Sequence, residues 1–331
     1  MKIGLTITTT LVSLATALGQ GTLAPSGAPA PTMKSLSEIE CRTPIRSAPF
    51  TISSPGSYYL TTNLTVTSGS AILITTHNVS LDLNGFSISS TASPASGNAI
   101  GLTGGPANIL IRNGNIVSGT TNNGGIYGGP GFQSGIDYNT GALANVQVKD
   151  VNVKGVGSYG IYLGNYGVVE RCAVKTCGAY GIAAASVKNS LALDCGNAGI
   201  TGLAIEGCRG ECTIGTGIWA NVAANSTGMS YSSSGVYANV VQCCQGISNT
   251  GTGIYGVVTE NSYGTSSSGT GIVGTSLINS YGYSTTGTGI AGELATSCVA
   301  YGLTRAMNLH TANGCRTLGG TNLLSFKFNM P

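Results

Sequence analysis

Isolated aliphatic residues recur every eighteen residues through the second half of the chain, and each follows a glycine. This column contains Ile182, Ile200, Ile218, Val236, Ile254, Ile272 and Ile290, with Ile161 one slightly longer step earlier. Between them, small, β-branched and polar residues alternate in short runs interrupted by Gly, Ser, Thr and Asn, which is typical of short strands joined by turns. The period is too short for a helical hairpin repeat and predicts one turn of a β-solenoid.

Two further columns keep the same interval. Ten residues before each aliphatic position stands a cysteine or a serine, and this set comprises Cys172, Ser190, Cys208, Ser226, Cys244, Ser262, Ser280 and Cys298. One position earlier stand four asparagines that we expect to hydrogen-bond to one another along the stack, namely Asn189, Asn225, Asn261 and Asn279. A spacing of about 4.8 Å between neighbouring strands permits such side-chain ladders. The columns therefore predict stacked turns with small residues at fixed positions.

The ten cysteines would suggest a disulfide framework in an exported chain, but the repeat argues otherwise. Cys172, Cys208 and Cys244 are two turns apart, about 9.6 Å by the strand spacing, whereas a disulfide needs Cα atoms within about 7 Å. We expect these three to be reduced and buried. Cys177 and Cys195 share a column on adjacent turns and are the only pair whose spacing would permit a disulfide. Whether they form one is left open.

The period does not fix the hand of the coil. A left-handed β-helix repeats an aliphatic residue at every sixth position, whereas six and twelve residues after Ile218 come Ala224 and Ser230, so that template fails. The turns upstream are longer and less regular, and the Gly-rich segment 118–135 is predicted to be a loop that bulges from one turn. The ending NLLSFKFNMP is expected to close the last turn.

The N-terminal residues have the composition of targeting and linking segments. Residues 1–19 contain a lysine, then a short apolar and threonine-rich run, then small residues at the end of the segment. This order predicts a cleaved secretory signal. Residues 20–33, rich in Pro, Ala and Gly, predict a flexible linker before a β-helix domain over 34–331. The segment 33–40 is the one plausible helix, which would cap the first strand edge. The predicted location is secreted, cell-surface or periplasmic, and no apolar run is long enough to span a bilayer.

Several segments together resemble a family of exported bacterial right-handed parallel β-helix proteins with pectate-lyase-like architecture. They are the linker APSGAPAPTMKSL, the strand pair SPGSYYLTTNLTV and SLDLNGFSI, the regular repeat and the ending FKFNMP. The resemblance implies export and an all-β fold, a right-handed parallel β-helix with turns of about eighteen residues in its C-terminal half. Because the family has no settled activity, it implies no catalytic residues.

Charged residues make up only 8% of the chain, and a net charge of +3 without a basic cluster argues against a nucleic-acid partner. The 11 acidic residues form neither a paired-aspartate motif nor a calcium cluster, so no lyase or hydrolase site is predicted. Asp82, between two leucines, is interpreted as ordering a turn. His77 and His310 are far apart and support neither a metal site nor a catalytic dyad, and no cofactor is expected.

One polar group has the spacing to share a face. Lys175 and Glu211 both lie seven residues before an aliphatic position, and Asp194 lies beside them on the intervening turn. We interpret this group as a solvated face with weak ion pairs, because exposed pairs contribute little and the alternative would be only a shallow patch.

The candidate binding surface is aromatic. Trp219, Tyr237 and Tyr255 each follow an inward aliphatic residue on consecutive turns, so their side chains are predicted to point outward. Such rings bind the C–H faces of sugars, or else pack only on one another as cross-strand pairs. The sequence therefore predicts a binding or structural module with a polysaccharide or cell-surface glycan as its partner. The rival function is a polysaccharide lyase or glycoside hydrolase.

A minor alternative is ice binding, because hydroxyl pairs along the repeat resemble the T-x-T ladders of ice-binding solenoids. The pairs are Ser232/Ser234, Thr250/Thr252, Ser268/Thr270 and Thr286/Thr288. Parity argues against this function, since positions two and four before an inward residue also face inward on a straight strand. Internal hydroxyl ladders are therefore the expected arrangement.

Overall fold

The structure, a computed structural model, describes residues 40–138 and 145–328. The chain divides into two units, Met1–Arg42 and Thr43–Pro331, and all the strands given below belong to the second. No helix within the described ranges is long and apolar enough to cross a membrane.

Three N-terminal predictions fall outside the described residues. They are the secretory signal, residues 1–19, the linker, residues 20–33, and the helix over 33–40 except for its final residue. These three stay predictions.

The second unit is an all-β parallel solenoid of about 16 turns, which confirms the predicted fold class. Except for one antiparallel hairpin, the strands pair in parallel with strands one turn away, which gives three ladders that we call faces A, B and C. A complete turn passes through the faces in that order. The right hand of the coil stays a prediction.

The strands are assigned to faces by their pairing. Face A has β1 (Thr43–Ile45), β3 (Gly56–Leu60), β6 (Val79–Asp82), β15 (Gly167–Glu170) and β18 (Ser186–Lys188). Face B has β4 (Leu64–Val66), β7 (Ser87–Ser90), β16 (Ala173–Cys177), β19 (Leu191–Cys195), β21 (Arg209–Cys212), β23 (Thr227–Ser230), β25 (Gln245–Ser248), β27 (Tyr263–Ser266), β29 (Tyr281–Ser284), β31 (Val299–Gly302) and β33 (Arg316–Thr317). Face C has β2 (Phe50–Ile52), β5 (Ile72–Ile74), β8 (Asn98–Leu102), β12 (Ser134–Tyr138), β14 (Ile161–Tyr162) and β17 (Tyr180–Ala183).

Longer strands run through a corner and belong to two faces. Faces A and B share β9 (Ile109–Val117) and β13 (Val146–Val156). Faces C and A share β20 (Ala198–Glu206), β22 (Thr216–Ala224), β24 (Val236–Gln242), β26 (Ile254–Glu260), β28 (Thr270–Ile278), β30 (Thr288–Thr296), β32 (Arg305–Asn313) and β34 (Thr321–Phe328). The predicted loop 118–135 contains an antiparallel hairpin of β10 (Thr121–Asn123) and β11 (Ile126–Gly128) that the sequence did not predict. Gly164–Tyr166 is a 3₁₀ turn.

The aliphatic column forms the centre of the core. Its members from Ile161 to Ile290 lie directly over one another in the parallel register, and every one is fully buried. The column continues into Met307. Burying one such side chain contributes about 1.5–3 kcal/mol, so the stack supplies much of the driving force for folding. The predicted eighteen-residue interval is therefore the length of one turn.

The cysteine and serine column is also buried, as the repeat indicates. The backbone N–H groups of Cys208 and Cys244 donate to the Oγ atoms of Ser226 and Ser262 on the following turn, each at 3.1 Å. A serine at this position therefore satisfies a backbone donor of its neighbour in addition to filling space.

The asparagine ladder does not form. Asn189, Asn225, Asn261 and Asn279 are exposed, and among the described residues no hydrogen bond joins their side chains. Each has a φ of 48–49°, in the left-handed region that asparagine tolerates better than most residues. Asparagine therefore recurs because the chain needs a left-handed residue at the corner where it turns from face A toward face B.

The cysteine predictions are partly correct. Cys172, Cys208 and Cys244 are free and buried, as expected. Their burial also raises the pKa values of all three thiols.

Cys177 and Cys195 lie side by side and are free thiols, but they are not the only neighbouring pair. Cys195 also lies beside Cys212, because a bulge between Ala192 and Cys195 shortens the separation to seventeen residues. Cys298 and Cys315 are opposed in the same way, since β31 pairs with β33 through Val299 and Arg316. The prediction of a single pair is wrong because it assumed an unbroken interval of eighteen.

Candidate functional site

The predicted aromatic column lies on the outside of face C. Trp219, Tyr237 and Tyr255 pair in register on β22, β24 and β26, each directly after a fully buried aliphatic residue. Because side chains alternate along a strand, the three rings point outward, with exposed fractions of 50%, 39% and 41%. We call these three residues the aromatic ladder.

The rings of the aromatic ladder do not all present their faces to solvent. Tyr237 and Tyr255 stack on each other, with centroids 4.9 Å apart and planes at 7°. Trp219 meets Tyr237 edge to face, at 6.3 Å and 85°. The tyrosines therefore use one face each for mutual packing, as the packing alternative expected. Trp219 is the most exposed of the three and carries the largest ring system.

Polar and apolar columns run beside the aromatic ladder on the same long strands. Asn239 Nδ2 donates to Asn221 Oδ1 at 2.9 Å, which forms one step of an exposed amide ladder. Val222, Val240 and Val258 form the next column and are exposed or half-buried. The surface around Trp219 thus combines aromatic rings, amides and aliphatic groups without a charge in these columns.

The structure brings together two members of the predicted group, since Asp194 and Glu211 line one groove whereas Lys175 does not. Asp194 lies in the bulge of β19, with φ 55°, so the repeat does not fix its position. Lys175 is exposed and forms no ion pair among the described residues, while Glu211 is 3.6 Å from Arg209. Lys175 is therefore not part of one patch with the two carboxylates, and among the described residues only Glu211 of this group forms an ion pair.

Asp194 instead receives three hydrogen bonds from distant parts of the chain. Asn122 Nδ2 and Tyr127 Oη donate to its Oδ1 at 2.6 and 3.1 Å, and Thr176 Oγ1 donates to its Oδ2 at 2.8 Å. Asn122 and Tyr127 belong to the hairpin β10–β11, which folds against face B. Tyr127 also lies 3.2 Å from Thr213 Oγ1. Burial, with a further contribution from the Asp194 charge, raises the pKa of Tyr127, so the phenol stays protonated as a donor.

A groove of about 440 Å³ opens beside this hydrogen-bonded cluster on face B. Its floor and walls include Asp194, Glu211, Thr213, Met229, Tyr231, Ile247 and Asn249. Glu211, Met229 and Ile247 lie in one column on consecutive turns, so the groove runs along the coil axis. Sequence reasoning missed this groove because Asp194 is placed by a bulge that breaks the repeat.

Asp82 and the histidines have structural surroundings. Asp82 Oδ1 accepts from the backbone N–H of Asn84 at 2.8 Å and pairs with Arg112, so it orders a turn as predicted. His77 Nδ1 accepts from the backbone N–H of Ala107, and His310 packs edge to face on Phe326. Among the described residues, no three His, Cys, Asp or Glu side chains come together as metal ligands would.

The first hydroxyl of each pair is on the surface and the second is half-buried, so the parity prediction is wrong for the first position. Ser232, Thr250, Ser268 and Thr286 are exposed, because the chain turns a corner there and does not continue as a straight strand. Each of these hydroxyls donates to a backbone carbonyl of the preceding turn, at 2.6 to 3.5 Å. Their protons are therefore used by the scaffold, which leaves only the oxygen lone pairs for a ligand.

No family model matches the chain, and no curated protein matches it. Among solved structures, the enzymatically active domain of tailspike protein 2 of Bacteriophage CBA120 is similar over 83% of this chain and 41% of its own, at 14% identity and a TM-score of 0.26. The chain thus spans less than half the length of that structure. A TM-score this low does not indicate a function for this chain.

Proposed function

We propose that this protein is a non-catalytic solenoid that binds a polysaccharide or cell-surface glycan outside the cytoplasm, and that the aromatic ladder is its contact. The observation that carries the proposal is the half-exposed indole of Trp219, set perpendicular to a stacked tyrosine pair on an ordered sheet. The extracellular location rests on the predicted secretory signal.

The chemistry around Trp219 suits a sugar with little charge. An aromatic plane contacts the C–H face of a pyranose, while amides such as Asn221 and Asn239 can exchange hydrogen bonds with its hydroxyls. The turn spacing of about 4.8 Å places these groups at regular intervals along a chain-like ligand. A neutral polysaccharide is therefore the favoured ligand for this face.

The contacts of the two groove carboxylates weigh against the rival hydrolase or lyase. A general acid or base has to exchange a proton with the substrate. Asp194 already accepts three hydrogen bonds, and Glu211 lies 3.6 Å from Arg209. Both carboxylates are thus placed as acceptors.

Fluorescence titration with neutral plant and algal polysaccharides tests the proposal, because Trp219 is the only tryptophan and reports on its own surroundings. We expect a spectral shift on binding and weak dependence on salt. Trp219→Ala should lose retention on polysaccharide gels while keeping its melting temperature, since an outward residue makes few core contacts.

Tyr263→Ala is the matched control. Tyr263 is 40% exposed and stacked on Tyr281, but it lies on face B. The control variant should retain binding. Equal retention by Trp219→Ala and the wild type would reject the aromatic ladder as the contact, and release of new reducing ends would favour the enzyme.

A further inference from the structure

The groove on face B has the features of a second binding site. Its polar wall is Asp194, whose position is fixed by a hairpin inserted 67 to 72 residues earlier in the chain. A solenoid turn does not need such an insertion in order to fold, because its neighbours satisfy its edges. The contact of Tyr127 and Asn122 with one carboxylate therefore orders a group that faces the groove.

The carboxylate of Asp194 keeps capacity for a ligand. Its Oδ1 accepts two hydrogen bonds and its Oδ2 accepts one, so Oδ2 has an acceptor position left. Among the described residues Asp194 forms no ion pair, whereas Glu211 has Arg209 at 3.6 Å. The lining of the groove contains no lysine or arginine. Arg209 lies at the edge of the groove, with Nη2 3.4 Å from Met229 Sδ, and offsets the charge of Glu211. Asp194 is thus the groove carboxylate without an ion-pair partner among the described residues.

The rest of the groove is suited to a ring with an apolar face. Met229 and Ile247 supply aliphatic surface on consecutive turns, and Tyr231 exposes 62% of its side chain at the rim. The volume of about 440 Å³ lies in the range of small-ligand sites. A ligand that fills it would combine an apolar ring face with a cationic donor.

We propose that this groove binds a short oligosaccharide bearing free amino groups, with the ammonium on Asp194 and the sugar rings on Tyr231, Met229 and Ile247. The site lies on a different face from the aromatic ladder and does not depend on it. The same charge disfavours uronic acid oligomers, because their carboxylates would meet Asp194 and Glu211. Tyr127 acts as a positioning residue, since it contacts Asp194 and not the ligand.

Calorimetric titration of the full chain tests the site with three tetrasaccharides at mildly acidic pH, where the amines are protonated. The probes are a glucosamine tetramer, its fully N-acetylated form and a galacturonic acid tetramer. We expect the glucosamine tetramer to bind and the acetylated form to bind roughly tenfold more weakly, which corresponds to the loss of one charged hydrogen bond. The galacturonic acid tetramer should not bind in the groove.

Asp194→Asn preserves the shape of the side chain and should weaken glucosamine binding roughly tenfold, with little change for the acetylated tetramer. Glu206→Gln is the matched control, because it removes the same charge from an exposed ion pair with Lys188 elsewhere on the coil. Tyr127→Phe should reduce the preference for the free amine over the acetylated form at unchanged melting temperature. A purely structural role of Tyr127 would leave that preference intact.

Several outcomes would overturn the assignment. Equal affinity for the free and acetylated tetramers would remove the role of charge, and equal binding by Asp194→Asn and Glu206→Gln would remove the role of Asp194. Spermidine binding as tightly as the glucosamine tetramer would indicate a polyamine site and reject the sugar. Trp219→Ala should bind the glucosamine tetramer normally, so failure of the aromatic ladder and failure of the groove are distinguishable.

Discussion

The first turns of the solenoid and its last regular turns enclose different interiors within the same three faces. Near the N-terminus the buried positions hold large aliphatic side chains, among them Ile72, Leu81 and Ile88. After a first interval of 15 residues, paired residues on adjacent turns there are 22 to 30 residues apart. In the later turns the separation is 18, and the interior holds the aliphatic column and a second buried column that includes Ile205, Val241 and Leu277, together with Gly, Ala, Ser and Cys.

Glycines show how narrow the later turns are. A Cβ atom on Gly228 or Gly264 would lie 2.0 or 2.3 Å from the carbonyl oxygen of Gly235 or Gly271. Faces B and C therefore touch backbone to backbone, with no space for a side chain between them. This contact explains why glycine recurs both before the aliphatic column and on the face B strands.

Hydroxyl groups replace part of the missing side-chain volume. Ser266 Oγ donates to the carbonyl oxygen of Gly251 at 2.7 Å and accepts from the backbone N–H of Gly269 at 2.8 Å. Ser248 and Ser284 repeat this arrangement. The longer turns therefore rely on large side chains, whereas an eighteen-residue turn adds backbone contact and buried hydroxyls to its aliphatic columns.

The largest effect is expected from a charge in the narrow interior. Ile254→Asp should destabilise the fold by about 4 kcal/mol or more, because the dry stack offers a carboxylate no partner. Tyr255→Asp, one residue further and outward, should cost less than about 1 kcal/mol. Chemical denaturation followed by circular dichroism measures both. Similar losses would contradict the assigned register.

Gly264→Ala tests the backbone contact directly. The added methyl group would meet the Gly271 carbonyl, and we expect a loss of about 3 kcal/mol. Gly128→Ala is the control, since a Cβ there has no atom within 4 Å and φ is ordinary. A tolerated alanine at 264 would mean that faces B and C are further apart than described.

Buried serines should matter more in the later turns. Ser266→Ala leaves the carbonyl of Gly251 and the N–H of Gly269, both half-buried, without their partner and should cost about 2 kcal/mol. Ser90→Ala, in the early turns, removes only one hydrogen bond to the backbone N–H of Ala92 and should cost about 1 kcal/mol. Equal losses in thermal melts would show that the hydroxyls stabilise both regions alike.

The smallest effect is a dependence on alkaline pH. Burial raises the pKa of Cys244 from an ordinary value near 9.0 to about 11, so the folded thiol holds its proton more tightly than the unfolded one. The associated stability is present below about pH 9 and is lost as pH rises toward about 11. Cys244→Ser, which uses the residue found at the same position on neighbouring turns, should flatten part of this dependence. An unchanged pH profile would count against the buried thiol.

Periodic contacts were predictable because an interval of eighteen places the same side chain over itself on every turn. This rule correctly predicted that Ile254 is buried, that the thiol of Cys244 is free and that Trp219 points outward. It failed wherever one residue was added or removed, as at the bulge that opposes Cys195 to Cys212. The prediction that the hydroxyls face inward failed for a related reason, because side chains alternate regularly only along a straight strand.

The sequence alone determined the fold class, the length of the turn and the alternation of inward and outward residues. These properties follow from strand geometry, in which side chains alternate and neighbouring turns stack at a fixed spacing. Only the tertiary structure decided that Tyr127 meets Asp194, that a groove opens beside them and that Tyr237 packs on Tyr255. The reason is physical: the path of an inserted hairpin and the rotation of an exposed ring depend on contacts across the folded surface, and no interval along the chain encodes them.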